Sequence, residues 1–167
     1  GAEGIGLFRT ELLFLDREDE PTVAEQVALY SAVFDAMAGR RVVVRTLDAG
    51  SDKPVPFLDM PHEENPALGI RGFRLIQDHR QFLIDQLTSL EVARKETGRE
   101  VWVMAPMIAT ASEAIEFAEM ARSCGEYKVG IMVETPAIAM ALQDLAGKLD
   151  FISVGTNDLS QYLFAAD

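Results

Sequence analysis

Four short polar clusters draw attention because each closes an apolar run. Phe8-Arg9-Thr10-Glu11 ends the first of five such runs and Arg45-Thr46-Leu47-Asp48 the second. Glu134-Thr135-Pro136 ends the fourth and Gly155-Thr156-Asn157-Asp158 the fifth. Arg9 and Arg45 carry planar guanidinium forks, which grip phosphate or carboxylate groups through paired hydrogen bonds. Glu134 and Asp158 are hard oxygen donors. Two carboxylates completed by substrate oxygens and water suit octahedral Mg²⁺, and Mn²⁺ less often. Asn157 adds an amide able to donate to a substrate oxygen. Together these groups describe a metal-assisted site for a small phosphorylated or carboxylated anion.

The elements that must position them follow from the apolar pattern. Residues 4–8, 42–45, 101–105, 129–133 and 151–154 read as buried strands, rich in Val and Ile and without strict polar alternation. Helical patterns separate them. Val23, Val27, Tyr30, Phe34 and Met37 share one helix face, entered at Pro21-Thr22 and left at Gly39. Leu83, Leu87 and Leu90 form a second stripe ended by Gly98. Thr110 or Ser112 caps a third helix, which stops before Gly125. A fourth starts at Pro136 and runs to about Gly147, and a last one covers residues 159–166. Such alternation predicts a parallel α/β architecture, in which the carboxyl ends of all strands open on one face. The four clusters therefore converge in space.

Each position taken singly also has a plain structural reading, as a solvated or ion-paired side chain. Their shared place at strand ends is what favours a site. Arg71 and Arg74 follow Gly69 on a helical stretch; Arg71 reads equally as a site residue and as a surface one. Lys53, His62 and His79 sit in loop or helix-start contexts, and Cys124 has no basic activator beside it. Trp102, Met104, Met107 and Met132 read as core. Gly4-Ile5-Gly6 lacks the third glycine of a dinucleotide fingerprint. Residues 48–66, with four prolines, are too long for an ordinary loop and predict a structured excursion.

The 167 residues are 49% hydrophobic and 25% charged, the balance of a folded domain. Lys and Arg number 15 against 27 Asp and Glu, a net charge of −12. That surface repels nucleic acid and anionic membranes, so neither is expected as a partner. No apolar stretch reaches the roughly 20 residues of a membrane span. One cysteine forms no intrachain disulfide, and two histidines make no His-rich metal site; a reducing, cytoplasmic setting is expected.

Several stretches resemble a known family. Gly4-Ile5-Gly6-Leu7-Phe8-Arg9-Thr10-Glu11, Val133-Glu134-Thr135-Pro136 and residues 153–162, from Ser153 through Asn157-Asp158 to Tyr162, are similar to signatures of phosphoenolpyruvate-utilising enzymes. Residues 44–53 (Val44-Arg45-Thr46-Leu47-Asp48 to Lys53) and 63–71 (Glu63 to Arg71) resemble the enzymes I of bacterial sugar phosphotransferase systems, the phosphoenolpyruvate–protein phosphotransferases. Pyruvate phosphate dikinases and phosphoenolpyruvate synthases share the first set and differ around Arg45. Metal-dependent aldolases acting on pyruvate enolates lack the Arg45 and Glu63–Arg71 segments.

The resemblance implies an α/β fold of TIM type, here about five parallel strands, the second to sixth of an eight-stranded (β/α)8 barrel. It implies phosphoenolpyruvate bound by Arg9, Arg45, Arg71, Asn157 and Asp158, with Mg²⁺ on Glu134 and Asp158. It implies phosphoryl transfer to a protein histidine, release of pyruvate, a histidine-containing phosphocarrier protein as partner, and a homodimer. In the family the phosphorylated histidine belongs to an N-terminal domain and the proton-donating cysteine to a later strand. No catalytic residue of that kind is expected within residues 1–167, and Cys124, His62 and His79 do not match. Because the chain opens at Gly1 and ends at Asp167, an excised or incomplete domain is expected, inactive in turnover by itself.

Overall fold

The computed structural model describes residues 3–15, 17–50, 54–58, 60 and 62–166. Five strands, β1 (Gly4–Arg9), β2 (Arg41–Arg45), β3 (Val101–Ala105), β4 (Lys128–Val133) and β5 (Phe151–Val154), form one sheet in the order β1-β2-β3-β4-β5. Every pairing is parallel. Sequential parallel strands need right-handed crossovers, which place the connecting helices on a single side. The result is an incomplete α/β barrel of TIM type: parallel as the strand–helix alternation implies, and a partial barrel as the family resemblance implies. All five expected strands form, within a residue at each end.

The two faces of the sheet follow the period of two. Val42, Val44, Val101, Val103, Ala105, Val129, Ile131 and Val133 point outward into the main core, against the helices. Val43, Met104 and Met132 form a second, inner cluster with Trp102 and Phe151 packed on it. Gly130 makes room for that layer, since a Cβ there would sit 2.8 Å from the Phe151 ring.

The helices start and stop where their caps require. Thr22 and Glu25 form a reciprocal capping box at the head of α1 (Val23–Ala36). Two helices precede β3: α2 (Phe73–Asp78) and α3 (Arg80–Thr97). The latter stops at Gly98, whose φ of 66° suits a left-handed cap. Thr110, not Ser112, caps α4 (Ala111–Cys124), with Glu113 closing the box. The helix expected from Pro136 to Gly147 is two pieces, α5 (Pro136–Met140) and a 3-10 turn (Leu142–Leu145). Bonds from Ala141 N to Ile138 O and from Asp144 N to Ala141 O tighten the chain there, and Ile138 and Leu145 both stay buried.

The last helix departs from expectation in a way that matters. It runs Thr156–Phe164 (α6), beginning three residues before the expected Leu159. Leu159 N donates to Gly155 O, so Asn157 and Asp158 lie in its first turn. An aspartate there is favoured by the helix dipole.

The long stretch after β2 is a structured excursion among its described residues. Leu47, Ala49, Val55 and Leu58 are buried in the main core, and a 3-10 turn (Pro66–Leu68) follows. Lys53 lies outside the described residues. Among the described residues, no helix is long and apolar enough to cross a membrane.

Candidate functional site

A cleft of about 300 Å³ opens at the carboxyl ends of the strands. Arg9, Arg45, Glu134, Asn157 and Asp158 all line it, with Asp48 and Met132. Residues from four strand ends, as much as 149 positions apart, thus share one hollow, as parallel packing demands. Arg71 stands behind this lining. Its Nη1 donates to Asp158 Oδ1 at 3.4 Å, and its Nη2 lies 3.6 Å from Asp48 Oδ2. Arg74 instead faces Glu113, Nε to Oε1 at 3.6 Å. His62 is exposed, His79 lies between α2 and α3, and Cys124 packs on the core beside Ser123.

The arginines are held by carboxylates that their spacing alone did not assign. Arg45 is 5% exposed. Its Nη2 donates to Glu11 Oε1 at 2.7 Å and lies 2.9 Å from Asp48 Oδ2. Glu11 Oε1 also accepts from Arg9 Nε at 2.8 Å. The hydrogen bond and charge of Glu11 raise the pKa of Arg9 above the ordinary arginine value. One buried carboxylate therefore bridges both arginines and sets their separation. Glu11 and Asp48 stand in the same strand-end clusters as Arg9 and Arg45, which was their one visible signal.

Glu134 is shaped from three sides. Met107 N donates to its Oε1 at 2.7 Å, from a residue whose φ of 54° lies in the left-handed region. Gly72, φ 58°, accommodates that turn, since a Cβ on it would stand 2.8 Å from Met107 Cβ. Gly155 faces the other oxygen; a Cβ there would fall 2.6 Å from Glu134 Oε2 and 2.7 Å from Glu134 Cβ. Burial foremost pushes the Glu134 carboxyl up to about 7. The Met107 amide and Arg45 oppose this, while the Asp48 and Asp158 charges reinforce it.

That crowding tests the donor set for a metal. Arg9, Arg45 and Arg71 face Glu11, Asp48, Glu134 and Asp158, so these groups, when ionised, carry one net negative charge. An anionic ligand enters such a site most readily with a cation. Glu134 and Asp158 fit a hard divalent ion as two oxygen donors, leaving positions for substrate and water. Among the described residues no group of three or more His, Cys, Asp or Glu is placed to hold a metal ion.

A larger hollow, about 680 Å³, lies at the opposite end of the sheet, between Arg94, Lys95, Arg99 and Lys128. Three of its four cations are already ion-paired: Arg94 with Glu91 and Glu126, Lys95 with Glu91, and Lys128 with Asp150. The carboxyl-end cleft is smaller but holds the convergent chemistry.

Comparison with known proteins finds similarity over the whole chain. The family model described as "PEP-utilising enzyme, PEP-binding domain" matches residues 1–167. A phosphoenolpyruvate-protein phosphotransferase of Streptomyces coelicolor is 48% identical over 169 residues, covering all of this chain and 30% of the relative. One from Staphylococcus carnosus is 45% identical, with the whole chain matched to 31% of its length. A multiphosphoryl transfer protein of Xanthomonas campestris pv. campestris is 46% identical, with 20% of its length covered. The chain thus spans a third or less of these curated relatives.

Proposed function

The chain belongs to the PEP-utilising enzymes, through their PEP-binding domain, and from that premise we propose that its cleft binds phosphoenolpyruvate for phosphoryl transfer to a protein histidine. Pyruvate is the other product. Arg9, Arg45 and Arg71 hold the phosphate and carboxylate oxygens, and Asn157 donates to the substrate. Glu134 and Asp158 hold Mg²⁺. The metal, when bound, supplies positive charge to the transferring phosphoryl and to the enolate left behind.

Arg45 carries this reading. It is a nearly buried guanidinium that nonetheless lines the cleft, fixed by Glu11 and Asp48 before any ligand arrives. Preorganised cations of this kind bind a phosphoryl group without rearranging. Phosphate and carboxylate together bring roughly −2.5 to −3 charge, which a divalent ion on a site of net charge −1 offsets in part. The accepting histidine and the acid that protonates the enolate are supplied outside residues 1–167. In the longer protein the phosphoryl group then passes to a histidine-containing phosphocarrier protein. This is the first step of a sugar phosphotransferase system, run by a cytoplasmic homodimer. The names of the relatives, phosphoenolpyruvate-protein phosphotransferase and multiphosphoryl transfer protein, support that assignment.

Isothermal titration of the chain with phosphoenolpyruvate tests the reading. Binding is expected with Mg²⁺ and weaker without it, and Arg45→Met is expected to lower affinity by about a hundredfold or more. Equal affinity in Arg45→Met would show that the anion sits elsewhere.

A further inference from the structure

Gln86 is a polar side chain set in an apolar stripe. Leu83, Leu87 and Leu90 of α3 face the core, and Gln86 lies among them fully buried. Burying an amide so deeply is unfavourable unless its hydrogen-bonding groups are satisfied. Here they are. Gln86 Oε1 accepts from Leu47 N at 3.0 Å, and Nε2 donates to Thr10 Oγ1 and to Tyr30 OH, each at 3.2 Å. The Thr10 hydroxyl in turn donates to Arg45 O at 2.9 Å. One amide thus ties the chain after β1 to the chain after β2.

We infer that Gln86 is a positioning residue for Arg9 and Arg45, on the reading that these arginines bind the phosphoenolpyruvate anion. β1 is an edge strand, and its register against β2 slips between Ile5 and Phe8. The ladder resumes at Phe8–Val44 and Arg9–Arg45 and ends there, so the turn that follows is placed by other contacts than strand pairing. The Gln86–Thr10 bond anchors the 3-10 turn Thr10–Leu13 onto α3. That turn carries Glu11, which bridges Arg9 Nε at 2.8 Å and Arg45 Nη2 at 2.7 Å. Gln86 acts through Thr10 and Glu11, from a helix that contributes nothing to the lining of the cleft. Its further bond to Tyr30, which donates to Gln26 Oε1 at 3.1 Å, extends the same buried chain to α1.

Variants of the 167-residue chain separate positioning from packing. Gln86→Met keeps the side chain's length and removes all three of its hydrogen bonds. Tyr30→Phe disturbs the same buried network but leaves both ties to the strand ends intact. Titration with phosphoenolpyruvate and Mg²⁺ is expected to show a loss of about tenfold or more in Gln86→Met. Tyr30→Phe is expected to change affinity by less than about twofold while lowering the unfolding midpoint. A readout without ligand accompanies this. The side-chain Nε–H resonances of Arg9 and Arg45 shift in Gln86→Met and stay in place in Tyr30→Phe. If Gln86→Met does not fold, Thr10→Val cuts the same link isosterically and is expected to move the same resonances. Unmoved resonances and unchanged affinity, or equal losses in both variants, overturn the inference. A wild-type chain that binds no phosphoenolpyruvate overturns the substrate reading instead, and the arginine resonances then decide the role of Gln86.

Discussion

Two glutamates at opposite ends of the sheet are held in opposite ways. Glu91, at the amino end, is 5% exposed and Glu134, at the carboxyl end, 1%. Glu91 is met by everything a carboxylate needs. Arg94 donates to it twice, at 2.7 and 2.9 Å, Lys95 lies 3.1 Å away, and Glu126 N donates at 3.2 Å. Its pKa falls to about 2, with the Arg94 hydrogen bond the main cause. Glu134 has one amide donor and the Arg45 charge against two carboxylate neighbours, and burial lifts it to about 7. The comparison teaches where this fold tolerates frustration. The amino end is neutralised within itself and stabilises. The carboxyl end keeps its charges unbalanced, which suits a site that a ligand and a cation complete.

The sharpest way to break this contrast is at Gly155. Gly155→Ala drives a Cβ to 2.7 Å from Glu134 Cβ, close to the backbone, where no flexible tip yields. We expect a stability loss of about 2–3 kcal/mol by urea denaturation, together with loss of Mg²⁺-dependent phosphoenolpyruvate binding. A stable variant that still binds would show that Glu134 is not confined as described.

The pH dependence of stability then reads each glutamate separately. Glu134 titrates higher folded than unfolded, where a glutamate lies near 4.5. Its contribution is most favourable below 4.5 and is lost as pH rises towards 7. Without divalent ions, this group costs up to about 3 kcal/mol between pH 4.5 and 8. Glu134→Gln is expected to flatten that slope; an unchanged slope would place the cause elsewhere. Glu91 has the opposite sign. Its stabilisation is complete above 4.5 and lost as pH falls towards 2. Glu91→Gln is therefore expected to remove roughly 1–2 kcal/mol at neutral pH and almost nothing near pH 2. Equal losses at both pH values would mean that packing, not charge, is what Glu91 supplies.

Much of the molecule was legible along the chain, because strands and helices are written in local periods. Val42 to Val44 and Val101 to Ala105 are apolar at successive positions, as a short strand covered on both faces is. Pro21-Thr22 announces a helix start and Gly39 its end. The helix after β5 was harder. Its apolar face begins at Leu159, but its first turn is polar and is stabilised by the bond from Leu159 N to Gly155 O, which no hydrophobic pattern marks. The segment from Pro136 misled in the reverse sense, since its apolar spacing suits a continuous helix while the backbone tightens at Ala141.

The sequence by itself determined which chemistry this protein carries: two arginines, two carboxylates and an amide at the ends of parallel strands, with Arg71 joining them through resemblance. Residue type and alternation suffice for that, because each is decided within a few neighbours. Only the tertiary structure decided how those groups are tuned. Glu11 bridging Arg9 and Arg45, Asp48 meeting Arg45 and Arg71, Met107 capping Glu134 and Gln86 tying two strand ends are mostly contacts between residues far apart in the chain. Hydrogen bonds and charge effects change over fractions of an ångström to a few ångströms, and at such separations packing alone sets the distance.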